Sequence, residues 1–210
     1  PKDVQNALYE YTAQAPVAKD VVPSPDACEI EQAVEMILAA KKPYLYIGGG
    51  AITDNAGAEV LALAEKIDAP IGCTMMGISA VPTSNPRWLG MEGMHGHYAS
   101  SIAQNEADLI ITAGCRFSDR GTGNTAKYAK NAKIIHKNIT VELGIAGSMK
   151  EILAKLTEKL PQQTHPEWMA RVSELQEKTK ELEAQNPEEL TPFTAIDAIA
   201  AVADKDTIVA

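Results

Sequence analysis

The 210-residue chain has few cysteines and no long apolar run, and each shortage excludes a class of protein. No apolar segment approaches the roughly 20 residues of a membrane helix. The N-terminal part lacks a basic segment followed by an apolar one, so neither a membrane anchor nor a secretory signal is expected. The three cysteines, Cys28, Cys73 and Cys115, are an odd and widely spaced set. Such a set is untypical of a disulfide framework or a metal site, and it favours a reducing, cytoplasmic location.

Basic residues are also scarce: 19 Lys and Arg stand against 28 Asp and Glu, for a formal net charge of −9. Nucleic acids and acidic membranes are bound through a surplus of positive charge, so neither partner is expected. Any anionic ligand would have to be held by a local group of donors. The chain starts at Pro1 and stops on an apolar segment at 206–210, which indicates a piece of a longer protein.

Recognisable catalytic sets are missing as well. The sequence shows no Ser/His/Asp, Cys/His or paired-carboxylate arrangement, so no catalytic residue is predicted in this chain. His95 and His97 lie in a glycine-rich loop without a clear carboxylate partner, and we predict no metal site there. His136 and His165 stand at a strand end and in a linker.

What the sequence does contain is a regular alternation of short apolar strands and amphipathic helices. This alternation predicts an α/β fold, a Rossmann-like doubly wound parallel sheet with right-handed crossovers. Ser24 or Asp26 is expected to cap the first helix, and Thr53 or Asp54 the second. The predicted strands lie at 44–47, 69–73, 108–112, 132–136, 143–146 and 207–209. The predicted helices start near 26, 54, 98, 149, 166 and 192, and the polar one at 166–185, with Glu174 and Lys178 paired, is expected to be solvated.

One turn concentrates charge where a parallel sheet presents its ligands. The strand at 108–112 runs into Gly114, Arg116, Asp119 and Arg120. Free backbone N–H groups at the glycine, together with the Arg116 guanidinium, suit a pyrophosphate or another anion. The alternative is a surface ion-pair network, which is common and contributes little stability.

A glycine triplet, Gly48–Gly50, follows the first predicted strand directly. Such a triplet lets a ligand approach the backbone and leaves N–H groups free to bind it, although a purely structural turn is the alternative. The triplet matches the first two glycines of a dinucleotide fingerprint, but Thr53 occupies the third place. No acid ends the second strand, which counts against NAD.

Methionines and glycines mark a long predicted loop at 74–97. Long loops in compact domains are usually functional. The segments 74–77 and 93–96 place flexible apolar side chains beside glycine, which suits the packing of a flat ring system, although core packing is the alternative for methionine.

Several motifs, in this order, resemble the central domain of the acetolactate (acetohydroxyacid) synthase family, a family of thiamine-diphosphate enzymes. They are KPYLYIGGG at 42–50, MG at 76–77, LGMEGMHG at 89–96, EADLII at 106–111, RFSDR at 116–120 and AKIIH at 132–136. The resemblance spans residues 22–160. It implies a linker from a pyrimidine-binding domain at 1–24, the central FAD-binding domain at 25–161, a connecting helix at 162–191 and the start of a pyrophosphate-binding domain at 192–210.

The resemblance also implies an activity for the complete enzyme. Members condense two pyruvates, or pyruvate and 2-oxobutyrate, with release of CO2 in branched-chain amino acid biosynthesis. They use thiamine diphosphate and Mg²⁺ in the flanking domains, form homodimers or tetramers, and pair in some cases with a regulatory subunit. This chain would supply the FAD site, and it would be inactive alone because the catalytic glutamate and the magnesium motif belong to the other domains.

The resemblance carries site residues over by motif. Asp119 and Arg120 would line the substrate channel. The residues that would contact FAD are Gly48, Gly49, Gly50, Thr74, Met75, Met76, Gly93, Met94, His95, Gly114, Cys115, Arg116, Phe117 and Ser118.

The chain departs from the family pattern at Ser118, at Glu92, where the family usually has an apolar residue, and after His136, where an acidic segment of the family is absent. Residues missing after His136 would explain the last departure, whereas a true deletion there would weaken the FAD site. Two other interpretations stay open. The chain is the central domain of another thiamine-dependent carboligase or a pyruvate oxidase, or it is a scaffolding domain without a bound nucleotide.

Overall fold

The structure of the protein is a computed structural model that describes residues 22–117, 133–135, 141–184 and 190–204, with isolated positions 3, 6–8, 13 and 207. Several predicted features lie outside the described residues: the turn residues Ser118, Asp119 and Arg120, and His136. Of the predicted linker at 1–24 and the predicted strand at 207–209, only a few positions are described. The helices whose bounds the structure describes are α1 Ala27–Ala39, α2 Gly49–Thr53, α3 Gly57–Lys66, α4 Tyr98–Glu106, α5 Met149–Lys159, α6 Pro166–Glu183 and α7 Pro192–Val202. The strands are β1 Pro43–Ile47, β2 Ile71–Cys73, β3 Trp88–Met91, β4 Leu109–Ala113 and β5 Lys133–Ile135.

The described strands form one parallel sheet in the order β3-β2-β1-β4-β5. From β1 the chain proceeds outward to β2 and β3, then returns to the other side of β1 through β4. The order therefore reverses between β1 and β4, which is where open α/β sheets bind ligands, beyond the carboxyl ends of the strands.

Helices cover both faces of the sheet. One face packs against α1, α3 and α5 through a core that includes Ile37, Leu45 and Leu153. The other face packs against α4 and α6 through a core that includes Tyr46 and Trp168. All five residues of β1 and of β4 are buried, as the continuous apolar runs predict for strands covered on both sides. The predicted doubly wound α/β fold is confirmed.

Helix caps follow the prediction only in part. Asp26 caps α1, since its Oδ1 accepts hydrogen bonds from the N–H groups of Cys28 at 2.7 Å and Glu29 at 3.4 Å. Neither Thr53 nor Asp54 caps α3, because the short helix α2 intervenes and Asp54 ends it. The Asp54 carboxylate instead accepts hydrogen bonds from Ser148 Oγ at 2.9 Å and the Lys150 N–H at 3.0 Å. It thereby ties the turn after β1 to the start of α5.

The long loop and the last strand of the sheet were predicted wrongly. Residues 74–97 contain a 3₁₀ turn at Met75–Ala80 and the edge strand β3. This strand has only four residues and contains Gly90, so it gives a weak strand signal in the sequence; in the structure Gly90 has a φ of +91° and the pairing with β2 shifts register. The strand predicted at 143–146 does not form: among the described residues there, only Leu143 makes a single bridge.

Helix α6 is not the solvated connection that its polar composition suggests. Trp168, Val172, Leu175 and Thr179 are buried on one side of it, and Trp168 Nε1–H donates to the Pro43 carbonyl at 3.0 Å. An apolar stripe at helical spacing is enough to bury a helix whose other positions are charged. Nor do Glu174 and Lys178 pair with each other: Arg171 binds Glu174 and Lys178 binds Glu181.

Candidate cofactor-binding site

Four segments meet at one edge of the sheet, each directly after a parallel strand. Their convergence follows from register, because Ile47 at the end of β1 pairs with both Cys73 and Ala113, and Cys73 pairs in turn with Met91. The segments begin at Gly48, Thr74, Glu92 and Gly114. Every predicted FAD contact in the described residues lies on them.

The turns after β1 and β4 pack backbone against backbone. Gly48 N–H donates to Ala113 O at 2.8 Å, and Gly50 N–H donates to Gly114 O at 3.1 Å. A Cβ on Gly48 would lie 2.5 Å from Gly114 O, and one on Gly114 would lie 2.5 Å from the Gly50 Cα. The expectation that these glycines leave their N–H groups free is therefore wrong for Gly48 and Gly50. Their role in the structure is to let two turns touch, and Gly114 also needs its φ of +69°.

Methionines form the exposed rim of this edge. Met75 and Met76 after β2 are 66% and 71% exposed, and Met94 after β3 is 78% exposed. The alternative that they are core residues is thus excluded. The turn below them is anchored by the Thr74 N–H, which donates to Ile47 O at 2.8 Å. Flexible, polarizable side chains left in solvent are typical of surfaces that pack against an apolar ligand or partner.

The segment after β4 alternates inward and outward side chains. Cys115 is buried and its Sγ–H donates to Tyr46 O at 3.2 Å. Phe117 is also buried, with its ring centroid 5.8 Å from that of Tyr46. Arg116, between them, is exposed. Arg116 therefore lies at the switch point with its side chain exposed, whereas the side chains of Cys115 and Phe117 are buried and leave only their backbone for contact with a ligand.

The turn after β3 is held by His97, for which the sequence predicts no role. His97 Nδ1 accepts a hydrogen bond from the Met91 N–H at 3.1 Å, and the His97 N–H donates to Met91 O at 2.8 Å. Gly93, at φ +100°, lies within this turn, and His95 is exposed on it. The spacing of His97 from Met91 gives no local signal, because the contact depends on the turn. Nowhere in the described parts of the chain do three His, Cys, Asp or Glu side chains gather closely enough to hold a metal ion.

A buried acid underlies the same edge. Glu92 is 5% exposed and neither carboxylate oxygen makes a hydrogen bond to a described residue. Burial raises its pKa to about 8, and the nearby Tyr44 phenol offsets part of that rise. Burial, reinforced by Glu92, raises the pKa of Cys73 to about 12 and raises that of Cys115 and Tyr46. These thiols and this phenol are therefore neutral at ordinary pH.

A cleft of about 410 Å³ lies beside this edge, between α2, the start of α3 and the 3₁₀ turn, with Lys150 in its wall. It shares no residue with the predicted FAD contacts. Of the helices that the structure describes, none combines the length and the apolar character needed to cross a membrane.

Known proteins have sequences similar to this one. Over its whole length the chain is 39% identical to the acetolactate synthase isozyme 1 large subunit of Escherichia coli, and covers 39% of that relative. Over 75% of the chain it is 41% identical to the acetolactate synthase large subunit of Corynebacterium glutamicum, and covers 27% of it. Over 73% of the chain it is 35% identical to the Haemophilus influenzae large subunit, and covers 29% of it. The chain therefore spans well under half the length of these relatives.

The sequence model of the family described as thiamine pyrophosphate enzyme, central domain, matches residues 30–156. This range runs from α1 to α5 and includes the five strands that the structure describes. The chain belongs to the thiamine pyrophosphate enzyme family, of which it carries the central domain.

Proposed function

We propose that the chain is the FAD-binding central part of an acetolactate synthase large subunit. The named relatives, which align with 73–100% of the chain, support this assignment. Within the chain, one observation carries the cofactor proposal: three exposed methionines and the exposed Arg116 share the carboxyl edge at which the strand order reverses.

The edge fits the two ends of a flavin nucleotide. Arg116 supplies charge-assisted hydrogen bonds suited to a pyrophosphate. Met75, Met76 and Met94 supply an apolar surface suited to the flat ring. Because the turns after β1 and β4 touch, the cofactor would lie across their outer surface rather than between them.

Apart from the methionines and Arg116, most of the proposed FAD contacts would be made by the backbone. Asp119 and Arg120 would line the substrate channel. The FAD site would comprise Gly48, Gly49, Gly50, Thr74, Met75, Met76, Gly93, Met94, His95, Gly114, Cys115, Arg116, Phe117 and Ser118. In the resembling family the flavin is mainly structural, so its role here would be to order this edge.

We propose the domain division implied by the resemblance, with the central domain at 25–161 and flanking pieces at 1–24, 162–191 and 192–210. Helix α6 lies in the piece at 162–191 but packs on the sheet, so it would serve as the outer layer of the central domain. Thiamine diphosphate would bind together with Mg²⁺ in the flanking domains of the complete enzyme. That enzyme would condense pyruvate with pyruvate or 2-oxobutyrate as a cytoplasmic homodimer or tetramer, with or without a regulatory subunit.

Titration with FAD tests the proposal. We expect quenching of flavin fluorescence with a Kd in the low micromolar range or tighter, about −8 kcal/mol, and a rise in the melting temperature of the chain. Arg116→Ala should weaken this binding. Its matched control is Arg171→Ala on α6, which removes an arginine whose partners are Glu106 and Glu174, away from the edge, and which should bind FAD like the unmodified chain. Absence of both quenching and thermal shift would favour the scaffolding interpretation. We also expect no acetolactate formation from pyruvate by this chain alone.

A further inference from the structure

Glu92 occupies an unusual place for a carboxylate. It directly follows β3, and its N–H donates to Cys73 O at the end of β2 at 2.9 Å. Glu92 is only 5% exposed, and both of its carboxylate oxygens lack a hydrogen-bond partner among the described residues. Buried carboxylates are ordinarily paired or fully hydrogen-bonded.

The groups that face Glu92 are weak acids rather than bases. Tyr44 and Tyr46 belong to β1, Cys73 to β2 and Cys115 to the segment after β4. Helix α4 contributes the Ser100 hydroxyl, which lies 2.9 Å from the Tyr44 phenol oxygen. In the parts of the chain that the structure describes, no lysine, arginine or histidine offsets a charge on Glu92. The nearby His97 is exposed; its Nδ1 accepts a hydrogen bond from the Met91 N–H, and its Nε2 lies 4.0 Å from a carboxylate oxygen of Glu183 on α6.

The segment that carries Glu92 lies partly in solvent. It joins β3, at the edge of the described sheet, to α4. Met94, His95 and His97 are all exposed. Its turn is closed by a few hydrogen bonds, among them Gly96 N–H to Gly93 O at 2.9 Å. Short exposed turns of this kind open locally at less cost than the core strands.

We propose that Glu92 is a pH sensor built into this edge of the sheet, protonated while the turn at 92–97 is closed and drawn into solvent with that turn when it ionises. The proposal does not depend on flavin binding. An ionised carboxylate in the closed position would be buried without a counter-charge from any described residue, whereas burial of the neutral acid costs much less.

Linkage gives the sign of the effect. The pKa of Glu92 is higher in the folded chain, at about 8, than its ordinary 4.5. Its contribution to stability is therefore fully present below pH 4.5 and is lost as the pH rises toward 8. Between these two pH values, the ionisation of this one residue increases the equilibrium constant of unfolding by up to about tenfold per pH unit.

Denaturant unfolding of the full chain from pH 5.5 to 8.5, with Glu92→Gln alongside, tests the sensor. Glutamine keeps the shape without titrating, so we expect the variant to lose most of the pH slope. Glu35→Gln, at an exposed position of α1, is the matched control and should retain the slope of the unmodified chain. Hydrogen exchange of residues 92–97 should rise with pH beyond the intrinsic base-catalysed increase in the unmodified chain only.

Infrared spectroscopy gives a readout that does not depend on the variant's folding. The unmodified chain should show a protonated carboxyl C=O stretch at neutral pH that disappears near pH 8 and is absent from the spectrum of Glu92→Gln. A chain with no such band, or pH slopes that are parallel in the unmodified protein and Glu92→Gln, would overturn the proposal. If Glu92→Gln does not fold, the infrared titration of the unmodified chain decides the question by itself.

Discussion

Gly114→Ala tests the interpretation that the glycines at this edge serve contact between turns. A Cβ at this position would lie 2.5 Å from the Gly50 Cα and 2.7 Å from the Ala51 N, both backbone atoms that cannot swing away. Overpacking of this kind costs about 1–3 kcal/mol. The φ of +69° adds about 1–2 kcal/mol for any residue with a Cβ.

The unfolded state offsets part of this cost. Alanine has less backbone freedom than glycine when unfolded, which returns about 0.4–1 kcal/mol. The expected net loss is therefore about 2–4 kcal/mol, a large share of a stability that is typically about 5–15 kcal/mol. For a chain of this size each kcal/mol lowers the Tm by about 2–4 °C, so we expect a decrease of about 4–16 °C.

Guanidinium unfolding followed by circular dichroism measures the loss. Gly144→Ala is the matched control, since a Cβ there would meet only Val141 Cγ2, at 3.9 Å. It should change the free energy of unfolding by less than about 0.5 kcal/mol or raise it slightly. If the two alanine variants differ in stability by less than about 1 kcal/mol, the two turns are not in the close contact described, and the glycines serve another purpose.

Three further substitutions test separate contacts. Arg116→Ala should weaken FAD binding by about 1–3 kcal/mol, or about 5–150-fold, through loss of charge-assisted hydrogen bonds; an unchanged Kd in fluorescence titration would remove Arg116 from the site. Asp54→Ala should cost about 1 kcal/mol at neutral pH. Hydrogen bonding, chiefly from the Lys150 N–H, lowers the Asp54 pKa, so this contribution should disappear as the pH falls through that lowered pKa. A loss that persisted in acid denaturation experiments would contradict this origin. Trp168→Phe should cost about 1–3 kcal/mol by leaving the Pro43 carbonyl unpaired, whereas Trp88→Phe at the partly exposed edge strand should cost less; equal losses in urea unfolding would argue against the buried hydrogen bond.

The central layer of the fold could be predicted from the sequence because its signals are local. The apolar runs of β1 and β4 are buried on both faces, and Gly48 and Gly114 directly follow them. Parallel pairing then brings the two turns together without further information. What the sequence could not show is that the turns bond to each other, since that depends on a backbone distance.

Other features depend on tertiary contacts that leave little trace in the sequence. Strand β3 is short and contains Gly90, so its pairing with β2 decides its structure. Helix α6 buries one narrow stripe, and its polar residues dominate any composition average. Because charged side chains are rarely fully buried, the sequence predicts Glu92 at the surface. It is buried because the neighbouring strands and α4 enclose it.

Hydrogen–deuterium exchange with and without FAD tests most directly the claim that the flavin lies across the carboxyl edge of the sheet. We expect FAD to slow exchange in residues 74–77, 93–96 and 114–117 and to leave exchange at the amino-terminal end of the sheet and on the outer surface of α5 unchanged. Protection confined to the cleft lined by Lys150, or no protection at saturating FAD, would contradict it.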